Sequence, residues 1–431
     1  MIRSYLKYFR NITHIIFLFS FLTSLIFASQ LSNKIAASEE KSIISSYDWP
    51  KLEIDFNGMV NDETHFAPLP SRSDLNRLRN EGVLWEFWLP EDRVHVYLNS
   101  DRIYSMEDFA RTKDGKKYYR FFVHPLAKDQ FADIVKDFEH SDVCMRPSAS
   151  PRSFFFDQFM IKVSLPLSLA GGIKSLYQLQ MQRATLVSNL LSKIPKQEMD
   201  QHHLSYLKES MAIYSATKDT PYGVIIREIP EDVVTKKKSL VPFFSLLEKD
   251  QKRKEKQTDD LSIFELNYKA SGLPLDDFVR ERILRPIIES FAFAAIKHGM
   301  LFEAHQQNTL FEVDEKGMFT GKIYYRDLDG VRIDFEQRKK NGFEKSDKEM
   351  ISNVEHPNWV FDLENIEKIK KGGASWNKKK YPEWNNLFDH TYKTYIEDDL
   401  LYLLHVYLKQ YSKQRLKKMA RQILSETLLG I

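Results

Sequence analysis

Residues 298–334 carry polar side chains in two short clusters, each flanked by apolar residues. The first cluster occupies residues 303–308, and the second occupies residues 326–329. Polar groups set in so apolar a surrounding must be paired with each other or must bind something else. The fold must therefore bring both clusters into one polar environment, and this requirement limits how the chain can be arranged.

The spacing within this segment predicts how the first cluster is displayed. A stretch of helical composition ends near Gly299, which is a suitable residue for a helix C-cap. Residues 301–313 then alternate in the manner of a β-strand. On such a strand, Glu303, His305 and Gln307 would share one face.

The second cluster is expected on a returning strand. A turn at residues 314–317 leads to a strand at residues 322–327. An antiparallel pair would bring Asp327 near His305 or Asn308. Carboxylate, amide and imidazole groups together suit a magnesium–nucleotide site. Since structural ion pairs produce similar clusters, the spacing alone leaves the functional and the structural interpretations equally open.

Both clusters resemble the signature of the NRPS-independent siderophore synthetases of the aerobactin-synthetase (IucA/IucC) type. That family carries a Glu-x-His-x-Gln-Asn motif and then an Arg-Asp-x-x-Gly motif, which stand here at residues 303–308 and 326–330. Upstream, residues 146–153 resemble the family's Ser-x-Arg-Thr phosphate-binding loop, with Ser153 where Thr is usual. The resemblance covers roughly residues 118–430.

The resemblance implies an acid–amine ligase that uses ATP and Mg2+. Such enzymes adenylate a carboxylate of citrate or a related acid, release pyrophosphate, and pass the acyl group to an amine or hydroxyl substrate with release of AMP. The implied nucleotide-binding residues are Ser150, Arg152, Ser153, Lys162, Lys174, Glu303, His305, Gln307 and Asn308. The implied catalytic residues are Arg152, Lys162 and His305. The implied magnesium ligands are Glu303, Asn308 and Asp327.

The resemblance also implies an α+β fold of two lobes, with thumb-, fingers- and palm-like parts, antiparallel sheets, a helical C-terminal region and an ATP cleft between the lobes. A homodimer is one assembly that it allows. We expect four regions along the chain: an apolar leader at 1–31, a shortened N-terminal α/β region at 32–145, a fingers-like phosphate-binding region at 146–240 and a palm-like C-terminal region at 241–431.

Composition excludes several other functions. The net charge of +3 is too small to indicate a nucleic-acid partner. The single cysteine, Cys144, excludes an intrachain disulfide and a zinc site built from several cysteines. With 42% hydrophobic residues, the chain can bury a sizeable core.

The N-terminal residues predict a membrane anchor or a signal peptide. Residues 12–31 are largely apolar and free of acidic side chains, and Arg3, Lys7 and Arg10 precede them. We therefore expect the chain to be membrane-associated through this segment, with a cytoplasmic catalytic region if the chain is active. The positive-inside rule would instead place the residues after 31 outside the cytoplasm.

Two alternative functions stay open at this point. The family carries a His-Pro-x-His-Pro-type motif before the serine–arginine loop, and residues 40–117 contain no equivalent. This favours a membrane-tethered, catalytically degraded binding protein of the same fold. A kinase-like phosphotransferase is the other alternative, and it would need a glycine-rich loop for which Gly171-Gly172 is too little.

Overall fold

The computed structural model describes Trp49 and residues 83–131, 136–150, 152–169, 172–215, 222–247, 261–354, 356–371 and 386–431. At residues 128–130, 166–169 and 172–174 it describes the backbone alone. The expected leader at residues 1–31 lies outside the described residues.

Strands dominate the first half of the described chain, and helices dominate the last hundred or so residues. The strands are β1 Val83–Pro90, β2 Val94–Leu98, β3 Ala110–Lys113, β4 Lys116–Val123, β5 His140–Cys144, β6 Arg146–Pro147, β7 Ser153–Phe156, β8 Phe159–Val163, β9 Leu165–Leu169, β10 Gly172–Lys174, β11 Leu204–Tyr206, β12 Glu209–Ser215, β13 Gly223–Glu228, β14 Lys238–Pro242, β15 Met300–Leu301, β16 Thr309–Asp314, β17 Phe319–Tyr325 and β18 Arg332–Ile333. The α-helices are α1 Gln178–Leu191, α2 Lys196–Gln201, α3 Glu231–Val234, α4 Phe243–Leu246, α5 Ile263–Ser271, α6 Leu275–Phe278, α7 Arg285–His298, α8 Phe335–Lys340, α9 Glu344–Ser352, α10 Pro357–Val360, α11 Leu363–Lys371, α12 Asn386–Tyr392, α13 Leu401–Tyr407 and α14 Lys413–Gly430.

The larger sheets are mostly antiparallel. One has the order β2-β12-β13-β8-β7-β6, a second β3-β4-β1-β5 and a third β11-β17-β16-β14. Only β11 and β17 run parallel within these three sheets as described. Short ladders join β9 to β10 and β15 to β18. The predicted α+β class, with antiparallel sheets and a helical C-terminal region, is confirmed.

The six-stranded sheet separates an aromatic core on one face from charged side chains on the other. On β8, Ile161 and its alternate neighbours enter the core that the sheet shares with β1 and β4. Because side chains alternate along a strand, Lys162 points to the opposite face. The same alternation on β13 puts Ile226 into the core and Arg227 on the face of Lys162. Helix α1 packs on this second face through Met181.

Residues 302–308 do not form the predicted strand. Strand β15 ends at Leu301, and β16 begins only at Thr309. Between them the backbone closes local bonds: the amide of His305 donates to the carbonyl of Glu303 at 2.8 Å, and that of Asn308 to the carbonyl of His305 at 3.0 Å. The backbone of this run is hydrogen-bonded within a tight turn, so the first cluster does not share one strand face.

The predicted helix end at Gly299 and the predicted antiparallel strand pair are confirmed. Helix α7 ends at His298, and Gly299 follows it with a left-handed φ of 59°. Strands β16 and β17 are antiparallel, with Thr309 opposite Tyr325. The amide of Arg326 donates to the carbonyl of Asn308 at 3.2 Å, so the two clusters meet at this end of the ladder.

The predicted membrane association is wrong for the part of the chain that the structure describes. There, no helix is long and apolar enough to cross a membrane. The prediction rested on residues 12–31, which lie outside the described residues.

Candidate active site

Three neighbouring strands place charged side chains on the face of the six-stranded sheet that α1 covers. Lys162 on β8 and Arg227 on β13 are each 1% exposed, and Glu209 at the start of β12 is fully buried. A register shift between Glu209 and Met211 lets Glu209 reach Arg227 across the β12–β13 ladder. The site is thus built on the sheet, which holds it rigidly.

Two aspartates from the second cluster complete a buried ion-pair network. Lys162 Nζ lies 2.9 Å from Asp329 Oδ1 and 3.3 Å from Asp327 Oδ1. Arg227 Nη2 lies 2.5 Å from Asp327 Oδ1 and 2.7 Å from Glu209 Oε1. Asp327 itself has a left-handed φ of 63°, a conformation that aspartate tolerates better than most residues. Asp327 follows Arg326, whose amide bonds to Asn308, and its carboxylate bonds directly to Lys162 and Arg227.

The network shifts the protonation equilibria of its members. Burial alone would raise the pKa of Asp327, but Lys162 and Arg227 outweigh it and hold that pKa well below its usual range. Burial raises the pKa of Glu209, and the positive charge of Arg227 offsets only part of the effect. Burial also lowers the pKa of Arg152, against the opposing pull of Asp329 and Asp327.

The serine–arginine loop lies beside this network. Ser153 on β7 stands directly opposite Lys162 in the β7–β8 register. The carbonyl of Arg152 accepts a bond from the amide of Val163 at 2.9 Å, and the Ser153 amide donates to the Ser150 carbonyl at 3.3 Å. The structure therefore brings Ser150, Arg152, Ser153 and Lys162 into one region, as the family resemblance implies. Their ligand-binding roles stay predictions.

Lys174 is placed only through its backbone. It ends β10 and pairs with Leu165 of β9 across a register irregularity. Its predicted contact with phosphate stays a prediction.

Glu303 joins the two clusters. Its carboxylate accepts a bond from Tyr395 Oη at 2.9 Å. A Cβ atom added to Gly330 would lie 2.4 Å from Glu303 Oε2, so a larger residue there would force the Glu303 side chain to shift. Burial raises the pKa of Glu303, and the bond from Tyr395 counteracts part of that increase.

Asn308 carries an unsatisfied amide. The residue is 1% exposed, and neither its Oδ1 nor its Nδ2 has a hydrogen-bond partner. Buried polar atoms in this state call for an explanation, and a bound ligand is one of the few available. By contrast, Gln307 is half-buried, and its backbone N–H donates to His305 Nδ1 at 3.2 Å, which orients the imidazole ring.

The donor chemistry fits a hard cation such as Mg2+. Carboxylate oxygens of Glu209, Asp327 and Asp329 lie within 4.8 Å of one another. Glu209 Oε2 is buried without a hydrogen-bond partner and so has spare acceptor capacity. Of the expected ligands Glu303, Asn308 and Asp327, only Asp327 belongs to this group.

Sequence reasoning missed Glu209 and the arginines Arg183 and Arg332. Glu209 opens an otherwise apolar strand, which is a usable signal for a buried acid. Arg183 lies on a helix with mixed composition, and nothing local distinguishes it from a surface residue. Its position beside the site depends on how α1 packs against the turn Leu328–Gly330.

The region that carries the loop, Lys162 and Arg227 matches a known family. The family model described as the IucA / IucC family covers residues 102–248. This match takes in about a third of the chain, and it is to this family that the region is similar. A second model, described as ferric iron reductase FhuF-like transporter, matches residues 281–366, which include both polar clusters.

Solved structures share the fold of this chain. Aerobactin synthetase IucA from a hypervirulent pathotype of Klebsiella pneumoniae matches with a TM-score of 0.55 at 14% identity, over 91% of this chain and 71% of that one. Aerobactin synthetase IucC from the same source matches with a TM-score of 0.57 at 15% identity, over 84% of this chain and 65% of that one. Petrobactin biosynthesis protein AsbB from Bacillus anthracis str. Sterne gives 0.52 at 18% identity, over 86% and 69%. No curated protein matches the sequence.

Proposed function

We propose that the chain is an ATP-dependent ligase of the siderophore-synthetase type, which adenylates a carboxylate of citrate or a related acid and condenses it with an amine or hydroxyl. One observation carries the proposal: the serine–arginine loop lies against the buried network of Lys162, Arg227 and Asp327. A structure of ATP-bound aerobactin synthetase IucA also shares the fold, with a TM-score of 0.52 over 91% of this chain at 13% identity.

In the first step, a carboxylate oxygen of the acid attacks the α-phosphorus of ATP. The bond between that phosphorus and the bridging oxygen to the β-phosphate breaks, and pyrophosphate leaves with the electron pair. Lys162 and Arg152 would donate to the phosphate oxygens on which negative charge accumulates. The hydroxyls of Ser150 and Ser153 would add neutral donors at the same loop.

Asp327 and Asp329 hold the ammonium group of Lys162 in place before the nucleotide binds. Lys162 is bonded to two aspartates, so its ammonium group needs little reorganisation to face a phosphate. Mg2+, when bound, neutralises phosphate charge and takes oxygen ligands. Glu209, Asp327 and Asp329 would hold it, and we retain Glu303 and Asn308 as further ligand candidates.

In the second step, the amine or hydroxyl attacks the acyl carbon. The bond between that carbon and the phosphate oxygen breaks, AMP leaves, and the nucleophile loses one proton to solvent or to a base. His305 would contact the phosphates or assist at the acyl centre, with its ring held by the Gln307 amide. No covalent bond to the protein is needed, so positioning and charge stabilisation would supply most of the rate.

The test uses the purified full chain with ATP, Mg2+, citrate and a panel of amines. AMP and pyrophosphate that form only when the acid is present support the ligase. Release of ADP would instead indicate the kinase-like alternative, and absence of acid-dependent turnover in a folded protein would indicate a binding protein. The comparisons lend no support to either alternative.

Two variants test the site assignment. His305→Ala and Arg152→Ala should each abolish AMP release while the thermal unfolding of the protein stays cooperative. Arg282→Ala, at an exposed arginine in the π-helix Val279–Leu284, serves as the matched control and should keep normal turnover. Wild-type rates in both site variants would show that the assignment is wrong.

A further inference from the structure

Two arginines beside the proposed active site each hold a shielded N–H group with no partner. Neither Arg183 Nε nor Arg332 Nη1 is exposed to solvent, and neither has a hydrogen-bond acceptor. Among the described residues, neither arginine forms an ion pair. Both residues are half-buried, and a shielded N–H group of a guanidinium ion is costly to leave without an acceptor, so a site that retains two of them is suited to an anion.

The fold brings these arginines to the same turn. Arg183 lies on α1, which packs against the turn Leu328–Gly330. Arg332 opens β18 just after this turn, and its guanidinium carbon lies 5.9 Å from the centre of the Tyr395 ring. Tyr395 in turn holds Glu303 against Gly330. Both arginines therefore border the point where the two polar clusters meet.

The nearby acids do not neutralise the pair by direct contact. Asp329 accepts from Lys162, Glu303 accepts from Tyr395, and Asp362 accepts from the side chain of Asn365. Burial lowers the pKa of Arg183, and the like charge of Arg332 lowers it further. The negative charges of Asp329, Asp362 and Glu303 raise this pKa and offset part of the decrease. An anion between the guanidinium groups would relieve this mutual repulsion.

We propose that Arg183 and Arg332 form an oxyanion subsite that binds a carboxylate of the acid substrate, namely one that is not adenylated. A planar guanidinium fork matches a carboxylate in two parallel hydrogen bonds. The neighbouring carboxylates of Glu303 and Asp329 disfavour the second negative charge of a phosphate. The subsite rests on the proposed function and narrows its substrate to acids with at least two carboxylates.

The experiment measures citrate binding to the full chain by isothermal titration calorimetry, without nucleotide. Arg183→Gln and Arg332→Gln should each weaken citrate binding by about tenfold or more, the scale of a lost hydrogen bond to a charged group. Arg183→Lys keeps the charge but not the fork, so it should recover only part of the affinity. Arg282→Gln at the exposed control position should bind citrate normally.

Two further titrations distinguish the possible oxyanions. The affinity for ATP should be the same in Arg183→Gln as in the wild type, whereas the affinity for tricarballylate, which carries three carboxylates, should fall as that for citrate does. Loss of ATP affinity with normal citrate binding would assign the arginines to phosphate and overturn the proposal. So would a wild-type chain that binds neither citrate nor tricarballylate, or variants that bind them normally.

Ligand-free stability gives a readout that does not depend on turnover. Removal of an unpaired, partly buried charge should leave the melting temperature of Arg183→Gln unchanged or higher, and citrate should raise the melting temperature of the wild type more than that of the variant. A variant that fails to fold would contradict this, because the arginine would then be structural. If citrate binding needs both arginines while no AMP forms, the subsite stands and the ligase proposal fails.

Discussion

Substitution of Asp327 by asparagine removes the charge that links Lys162 to Arg227. Asparagine has nearly the same shape and also tolerates the left-handed backbone at this position, so the change isolates the electrostatic contribution. Loss of one partner from a buried ion pair costs about 3–5 kcal/mol. Lys162 keeps Asp329 at 2.9 Å and Arg227 keeps Glu209 at 2.7 Å, so we expect the lower end, about 3 kcal/mol.

The assay is urea unfolding at neutral pH, followed by circular dichroism. Asp114→Asn is the matched control, since Asp114 is an exposed aspartate with a left-handed φ of 51°. This control should change the unfolding free energy by less than about 0.5 kcal/mol. A loss of similar size in both variants would refute the reasoning, because the cost would then come from the backbone and not from the ion pairs.

The difference in unfolding free energy between the wild type and Asp327→Asn should depend on pH in a definite direction. The folded-state pKa of Asp327 lies well below its usual value, so its stabilisation is fully present above the unfolded pKa of about 3.9. The stabilisation disappears as the pH falls through the folded pKa. The stability gap between wild type and Asp327→Asn should therefore stay constant from pH 8 to pH 5 and narrow only in stronger acid. A gap that changes near pH 7 would contradict the assignment.

Two further predictions concern the turn and the helix behind the site. Gly330→Ala places a methyl group 2.4 Å from Glu303 Oε2. It should therefore lower the free energy of unfolding in urea by about 1–3 kcal/mol and suppress acid-dependent AMP release. Gly430→Ala is the control and should do neither, because nothing lies within 4 Å of a Cβ atom there. Burial raises the pKa of Asp399 to about 6, although Gln306 donates hydrogen bonds to its carboxylate. The stability of the wild type relative to Asp399→Asn should therefore fall as the pH rises through about 6. Parallel stability curves for the two proteins between pH 5 and pH 7.5 would show that Asp399 is not the group that titrates.

Local sequence patterns predicted the parts of the fold that depend on neighbours in the chain. The end of α7 at Gly299 follows from glycine's access to the left-handed backbone, and the β16–β17 pair follows from a turn between two apolar runs. The alternation through residues 302–308 misled, because the same polar spacing is satisfied by a turn with its own hydrogen bonds.

The site could be predicted only as far as the family motifs reach. Lys162 and Asp329 are 167 positions apart, and Arg227 and Asp327 are 100 apart, so no local periodicity could pair them. Glu209 enters through a register shift in its strand, which composition does not reveal. Arg183 joins the site because α1 packs against a distant turn.

Transfer of labelled oxygen from the acid to the nucleotide tests the central claim most directly. The full chain would be given ATP, Mg2+, a suitable amine and citrate with 18O in its carboxylates. The masses of the AMP and pyrophosphate formed would be measured by mass spectrometry. Adenylation followed by acyl transfer leaves one carboxylate oxygen on phosphorus, so the account predicts AMP that carries one 18O atom, together with unlabelled pyrophosphate. Unlabelled AMP, or ADP as the product, would contradict it.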